Sequence, residues 1–434
     1  MLDTTNAIVK KSLALGATDV IAKCITSKNQ QLRFSNNELD IAKTWFDTVF
    51  HVFLVLDNKV VATEIRKMDT IDQSIERLIT IAKASKPNPF YGGIAEDSFS
   101  YTPVKSDPTL RTLEDGSDFV ITAINKALET SSNTAGILSI INEDIYLSSS
   151  GGIEVTDELS SIELSIRAFS QKEASGHSVS CSPTLAQFNP EKAGEEAGEL
   201  AQLARDPVQG QEGTYDIIFS PLFFGSILSY TTEMTSAFMV LSGRSMFTDK
   251  VGKEVASEHV TITDTPQGFT QPRCDDEGVP TQVTTVIEEG ILKTYLHNTS
   301  TATLFETDTT ANAGLVIPRP RNAHINPGDY THHELIEEVD SGLYLTNTWY
   351  TRFQNIQAGD FSTIPRDAIL KIEQGEITGS LKNIRISDNL LSVYRNIQGV
   401  SKDQKVIHWW IEANIPSRVS YILARDINVT RSTD

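Results

Sequence analysis

Eight histidines, three cysteines and 57 carboxylate side chains are available for chemistry in this chain of 434 residues, yet few fall at a useful spacing. Zinc hydrolysis from one helix needs two imidazoles on one face and a carboxylate that takes a proton from the metal-bound water. The one His-Glu pair lies in Thr331-His332-His333-Glu334-Leu335-Ile336-Glu337; it sets His333 and Glu337 at i, i+4 and supplies no second imidazole at that spacing. Thr331 and Glu334 read instead as a capping box for a short helix. Asp275-Asp276-Glu277-Gly278 concentrates acid but lacks the alternating ligands of a calcium loop, and reads as a turn. Glu195, Glu196 and Glu199 read as the solvated face of a helix, and His51, inside an alternating stretch, as a sheet histidine. Cys24, Cys181 and Cys274 have no C-x-x-C spacing and read as reduced thiols. A phosphate loop G-x-x-x-x-G-K-[ST], a dinucleotide turn G-x-G-x-x-G and a nucleophile elbow G-x-S-x-G do not occur.

The net charge of −20, from 57 acids against 37 bases, has the wrong sign for reading nucleic acid through its phosphates, so no direct nucleic-acid partner is expected. No run approaches the roughly 20 apolar residues of a membrane span. The opening Met1-Leu2-Asp3-Thr4-Thr5 lacks the basic-then-apolar order of a signal peptide, so the expectation is a cytoplasmic protein without a membrane partner.

The length implies two domains or two intertwined halves. Thr4 or Thr5 can cap a first helix whose apolar Ile8, Val9, Leu13 and Leu15 stop at Gly16. Asp19 to Arg66 alternates as a meander of about four or five strands, turned at Asn36-Asn37 and Asp57-Asn58. Ile71, Ile75, Leu78, Ile79 and Ala82 mark one face of a helix that must cover this sheet. A proline-punctuated stretch from Lys86 to Leu110 reads as a long, flexible surface connection. A short helix near Ser117 to Glu129, a second antiparallel ribbon between Ala135 and Ser180, and a helix opened by Asn189-Pro190 complete an N-terminal α+β domain over 1–212, with its long loop near 86–116. Tyr215 to Phe219 reads as a strand. Ser220-Pro221 then opens a buried helix running from Leu222 to Met239. The remainder, 213–434, reads as a β-rich domain.

Ordered motifs in this second half carry a resemblance. Asp275-Asp276-Glu277-Gly278-Val279-Pro280-Thr281-Gln282, then Val286-Ile287-Glu288-Glu289-Gly290-Ile291-Leu292-Lys293, Pro318-Arg319-Pro320-Arg321-Asn322 and Gly359-Asp360-Phe361-Ser362 are similar in order and spacing to segments of the TldD/TldE (PmbA) family, also called modulators of DNA gyrase. Glu288-Glu289-Gly290 and, further on, Glu373-Gln374-Gly375 also read as plain hairpin turns. The resemblance implies an α+β fold: an antiparallel sheet with helices at the N-terminus and a β-rich, barrel- or sandwich-like C-terminal domain. Active members carry H-E-x-x-x-H after a Gly-x-x-Leu lead-in. Matching that lead-in at Gly225 and Leu228 puts the first His on Ser229, the Glu on Tyr230 and the second His on Met234. A zinc-binding Cys near the C-terminus of active members also has no counterpart in Val406-Ile407-His408-Trp409-Trp410.

Ser is a poor zinc ligand, Tyr is no base near neutral pH, and a thioether prefers softer metals. The resemblance therefore implies a TldE-like subunit with no metal of its own, whose TldD-like partner supplies zinc for cleaving small or unfolded peptides. Alternatives are a self-sufficient peptidase with an atypical metal site, or a homo-oligomeric peptide-binding or regulatory protein; in isolation the chain is expected to be able to form a homodimer. The expected substrate wall is the strand region from Tyr344 to Phe361, with Trp349, Tyr350, Phe353, Gly359, Asp360 and Phe361 as candidate contacts and a ladder amide at Asn347.

Overall fold

Two pairs of left-handed residues set the first half of the fold. In the computed structural model, which describes residues 1–104 and 106–431, Asn36, Asn37, Asp57 and Asn58 take φ of 48, 69, 51 and 60°. A tight hairpin turn needs this conformation, and Asn and Asp tolerate it. The turns join β1 (Asp19–Ser35), β2 (Glu38–Leu56) and β3 (Lys59–Ile65). The alternation thus resolves into three strands, not four or five, because β1 and β2 run 17 and 19 residues without a break. β4 (Asn133–Ser149), β5 (Glu154–Gln171) and β6 (Ala174–Ser182) extend them into a six-stranded antiparallel sheet of order β3-β2-β1-β4-β5-β6.

Strand periodicity divides the work between the two faces. Val20, Ala22, Cys24, Leu32 and Phe34 of β1 meet the helices α1 (Leu2–Ala14), α2 (Ile71–Ala84), α4 (Ser117–Ala127) and α5 (Pro190–Leu203). Ile75, Leu78 and Ile79 of α2 are buried there, each contributing about 1.5–3 kcal/mol relative to exposure. Ile21, Phe53, Val55 and Leu147 face the other way, onto Ile94, Ala95 and residues of the second half. The short α3 (Pro108–Thr112) is capped by Asp107.

Three local expectations are corrected. Helix α1 has no side-chain cap; Thr5 lies inside it and its hydroxyl shares a 2.7 Å hydrogen bond with Ser148, tying helix to sheet, while Leu13 and Leu15 are exposed. The connection after α2 is fastened rather than loose: Tyr91 Oη donates to Asp19 Oδ2 at 2.7 Å, Gly92 N to Ser300 Oγ at 3.1 Å and Tyr101 Oη to the Gly278 carbonyl at 2.8 Å. Glu196 turns inward, taking the Ser178 hydroxyl at 2.7 Å and pairing with Lys405.

The second half runs through β7 (Val208–Gln209), β8 (Gly213–Phe219), α6 (Pro221–Met234), α7 (Ala237–Leu241), β9 (Ile262–Asp264), β10 (Thr284–Glu288), β11 (Ile291–Leu292), α8 (Thr299–Leu304), β12 (Ala323–Ile325) and α9 (His332–Glu337). It ends in β13 (Ser341–Asn355), β14 (Asp360–Glu373), β15 (Glu376–Lys382), β16 (Ile384–Asn389), α10 (Leu390–Arg395), β17 (Ile397–Trp409) and β18 (Ala413–Arg431). β18 pairs with β8, β8 with β13, β13 with β14, β14 with β16, and β16 again with β18. Five strands thereby close a ring, the barrel form of the expected β-rich domain. Expected turns occur where Glu289-Gly290 and Gln374-Gly375 adopt positive φ.

Helix α6 is buried nearly all round, with 12 of its 14 residues buried and its apolar side chains in the larger core. The single helix expected from Leu222 to Met239 is in fact two. Ser236 forms a bridge to Leu296, with Ala237 N donating to the Leu296 carbonyl at 3.0 Å, and that strand-like contact breaks the helix after Met234.

Candidate functional site

Ser220 caps α6 by accepting the Phe223 N–H at 3.1 Å, and Pro221 fills the first helical position, where no N–H is needed. A Cβ at Gly225 would come within 2.9 Å of Ile407 Cγ2, so glycine lets β17 lie against the helix. One turn on, Ser229 Oγ is engaged with both N–H and C=O of Ile415, each at 3.3 Å. Tyr230 lies half-buried with its ring 5.6 Å from that of Phe353, edge to face, and its Oη donates to Glu412 Oε2 at 3.1 Å. The other oxygen of Glu412 takes the Tyr350 N–H at 2.7 Å. Burial, reinforced by the Glu412 carboxylate, pushes the Tyr230 phenol far above its ordinary range. Met234 is 3% exposed and points into the core.

This donor set does not fit zinc. Its hydroxyls are committed to neighbours, its thioether faces hydrocarbon, and among the described residues no group of three or more His, Cys, Asp or Glu is placed to hold a metal. His333 and Glu337 form an exposed 3.8 Å pair on α9, whose capping box from Thr331 and Glu334 is complete. Asp275, Asp276 and Glu277 do form a turn, but a buried one. Asp275 accepts the N–H groups of Glu277, Val279 and Ala313, and Asp276 pairs with Lys23 at 2.7 Å. Burial would raise Asp276, yet Lys23 and Arg321 outweigh it and hold its carboxyl at about 2.

The expected substrate strip divides in two. Trp349 and Tyr350 line a cavity of 660 Å³ between β5 and the stretch of β14 from Ile364 to Ile369. Tyr350 is 49% exposed, with a left-handed φ of 59°. Phe353 packs between Tyr230 and Phe361. At the far end the strip is structural: Gly359 makes the hairpin turn at φ 86°, Asp360 accepts from Asn389 Nδ2 at 2.9 Å, and Phe361 is 2% exposed in the core. Asn347 is no free ladder position. Its side chain is wholly buried, so a proline there would disrupt a polar hub and test folding rather than substrate contact.

That hub is a relay that the sequence reading did not assemble. Arg167 on β5 donates through Nε and Nη2 to Asp367 Oδ1 and Oδ2 at 2.8 and 3.2 Å. Asn347 Nδ2 donates to Asp367 Oδ2 at 2.8 Å and to His177 Nδ1 at 2.9 Å, while its Oδ1 takes the Thr348 N–H. Nδ1 of His177 is thus an acceptor, so the ring proton sits on Nε2 and is donated to Ser165 Oγ at 2.9 Å. Burial, with help from Arg167, pushes His177 down to about 3. Serine and histidine touch, but with the polarity reversed from that of a nucleophile and its base. The ends of the relay reach a second cavity of 550 Å³, which shares Arg167, Phe169 and Trp349 with the first and is also walled by Trp409 and Trp410. Trp349, expected as a substrate contact, and the adjacent tryptophans at 409 and 410 were the signals of it in the sequence.

The profile of the PmbA/TldA metallopeptidase C-terminal domain matches residues 212–431, just over half of the chain. The chain belongs to the PmbA/TldD family. It is 36% identical over 205 residues to a metalloprotease of Methanocaldococcus jannaschii, 44% of each chain. It is 30% identical over 222 residues to a TldD homolog of Buchnera aphidicola described as a metalloprotease, 49% of this chain and 45% of that one. The matched stretch spans about half the length of these curated relatives. Solved structures extend the fold likeness to the whole chain. A protein from Thermotoga maritima described as a modulator of a DNA gyrase superposes with a TM-score of 0.87 at 22% identity, covering 99% of both chains. TldE from Thermococcus kodakarensis superposes at 0.85 and 20%, covering 98% of this chain and 100% of that one.

In this PmbA/TldD family member the matched region contains α6, the β13–β14 strip, Asp367 and Glu412, whereas Ser165, Arg167 and His177 come from the N-terminal sheet outside it. The relay therefore spans the two halves of the chain. No helix among the described residues is long and apolar enough to cross a membrane.

Proposed function

We propose that this chain is a TldE-like, non-catalytic subunit of a TldD/TldE-type zinc metallopeptidase that acts on small or unfolded peptides. Its TldD-like partner supplies the zinc and the general base, and this chain completes the substrate chamber. The observation that carries the reading is the occupancy of α6. At the positions matched to two ligands and a base stand Ser229, Tyr230 and Met234, each engaged in a contact that a ligand would have to give up. The fold likeness to TldE from Thermococcus kodakarensis supports the same reading. So does the pair of cavities lined by Trp349, which offers a concave aromatic surface where substrate could lie. Three buried free cysteines suit the reducing cytoplasm.

Elemental analysis of the purified chain after dialysis tests this reading. The expected content is far below one zinc per chain. One zinc per chain, lost on substituting a histidine, contradicts it and favours the self-sufficient peptidase.

A further inference from the structure

The 550 Å³ cavity has a floor whose polarity is fixed from behind. Asp367 is held ionised by the paired Arg167 guanidinium, so Asn347 must present its NH₂ group to that carboxylate. The same NH₂ group then faces His177 Nδ1, which leaves the imidazole proton on Nε2 and makes Ser165 Oγ its acceptor. The Ser165 hydroxyl has no other partner among the described residues, so its own proton is free to be donated. Ser165 is 7% exposed, and Asn347 and His177 are 0 and 4% exposed; this is a buried, oriented donor at a cavity rather than a solvated side chain.

The walls define what such a donor would meet. Apolar residues, among them Trp349, Trp409, Trp410, Phe34 and Ile41, form most of the lining. The charges there sum to zero: Arg167 is paired with Asp367, and the exposed Arg33 and Asp40 both line the cavity without pairing to each other. A charged group entering would shed its hydration against no net counter-charge, whereas an apolar group next to a hydrogen-bond acceptor would be matched on both counts.

We propose that this cavity is a subsite for an uncharged apolar or aromatic side chain of an extended peptide, with Ser165 Oγ donating to a neighbouring main-chain carbonyl. The proposal rests on the reading that the chain handles peptides, and it gives that reading a side-chain preference. Ser165 is a positioning donor, since its histidine carries the proton on the wrong nitrogen to activate it.

Three of the four tryptophans border the cavity, so intrinsic fluorescence of the full chain reports its occupancy. The probes are acetyl-Gly-Phe-Gly-amide and acetyl-Gly-Glu-Gly-amide. The expected result is a saturable change with the Phe probe, at an affinity about tenfold or more above that for the Glu probe. Ser165→Ala should weaken the Phe probe by about two- to tenfold, the range of one neutral hydrogen bond. Trp410→Ala, at a residue 67% exposed, should weaken it several-fold, and this variant decides if Ser165→Ala does not fold. Absence of saturable change, equal affinity for the two probes, or unchanged Phe affinity in a folded variant overturns the proposal. Neither partner nor turnover enters the test. A chain that activates a partner but binds neither probe sinks this subsite alone, and one that prefers the Phe probe but activates no partner sinks only the subunit reading.

Discussion

Tyr230 Oη donates to Glu412 Oε2 at 3.1 Å, so the position matched to a general base carries a group that holds another residue's carboxylate. Through its second oxygen Glu412 also takes the Tyr350 N–H, and one carboxylate thereby joins α6 to β13. In this way helix α6 helps to brace the wall of a cavity.

Replacing Tyr230 tests this role directly. Tyr230→Phe should cost about 1–2 kcal/mol in urea unfolding, since a hydrogen bond to a charged group is lost while Glu412 keeps the Tyr350 amide. Tyr230→Glu should cost more, about 3 kcal/mol at pH 7, because it sets two carboxylates against each other, and the penalty should shrink as the pH falls toward 4. Equal stability of Tyr230→Glu and wild type at pH 7 would show that the contact holds nothing.

A second prediction concerns pH. Burial, and next the charge of neighbouring Asp275, raises Glu277 well above the ordinary carboxylate value of 4.5. A carboxyl whose folded pKa is raised stabilises the fold most fully below its unfolded value, and that contribution is lost as the pH climbs through the folded one. Wild type should therefore lose stability above pH 4.5 on account of this group. Glu277→Gln keeps an acceptor for the Thr299 N–H and removes the charge, so it should gain about 1 kcal/mol or more on wild type between pH 5.5 and pH 9. A difference that is the same at both pH values would contradict the assignment.

The local grammar of the chain was legible in its residues. Asn36-Asn37 and Asp57-Asn58 announced hairpins, Ser220-Pro221 a helix start, Asn189-Pro190 another, and Thr331 with Glu334 a capping box, because each is settled by neighbours within a few positions. The unbroken length of β1 and β2 was less legible, since alternation marks a strand but not where it stops. The break after Met234 depends on Leu296, some sixty positions away, and the inward turn of Glu196 on Lys405. The site suffered most from this limit. Ser165, His177, Asn347 and Asp367 are ordinary residues in four separate stretches of sequence, and only the packing of the N-terminal sheet against the barrel brings them into hydrogen-bond contact. Of the residues expected along the strip, Trp349 and Tyr350 face open space, while the Gly359-Asp360-Phe361 motif that carried the resemblance builds a turn and part of the core.

The relay makes a spectroscopic prediction. Nitrogen-15 shifts of the His177 ring at pH 7 should show a protonated Nε2 and a bare Nδ1, and the ring should remain neutral on titration to pH 4, since burial, abetted by Arg167, places it at about 3. The opposite tautomer, or a titration midpoint near the ordinary 6.5, would mean that Asn347 presents its carbonyl rather than its NH₂ group and that Ser165 donates to histidine instead of to the cavity.

Peptide hydrolysis by the chain alone and in mixture with a TldD-type relative bearing His-Glu-x-x-x-His, with an unfolded peptide as substrate and chelator as control, separates a non-catalytic subunit from a self-sufficient peptidase. A non-catalytic subunit gives no cleavage by the isolated chain, and in the mixture a chelator-sensitive rate well above that of the relative alone. Chelator-sensitive cleavage by the isolated chain at the rate of the mixture would contradict it.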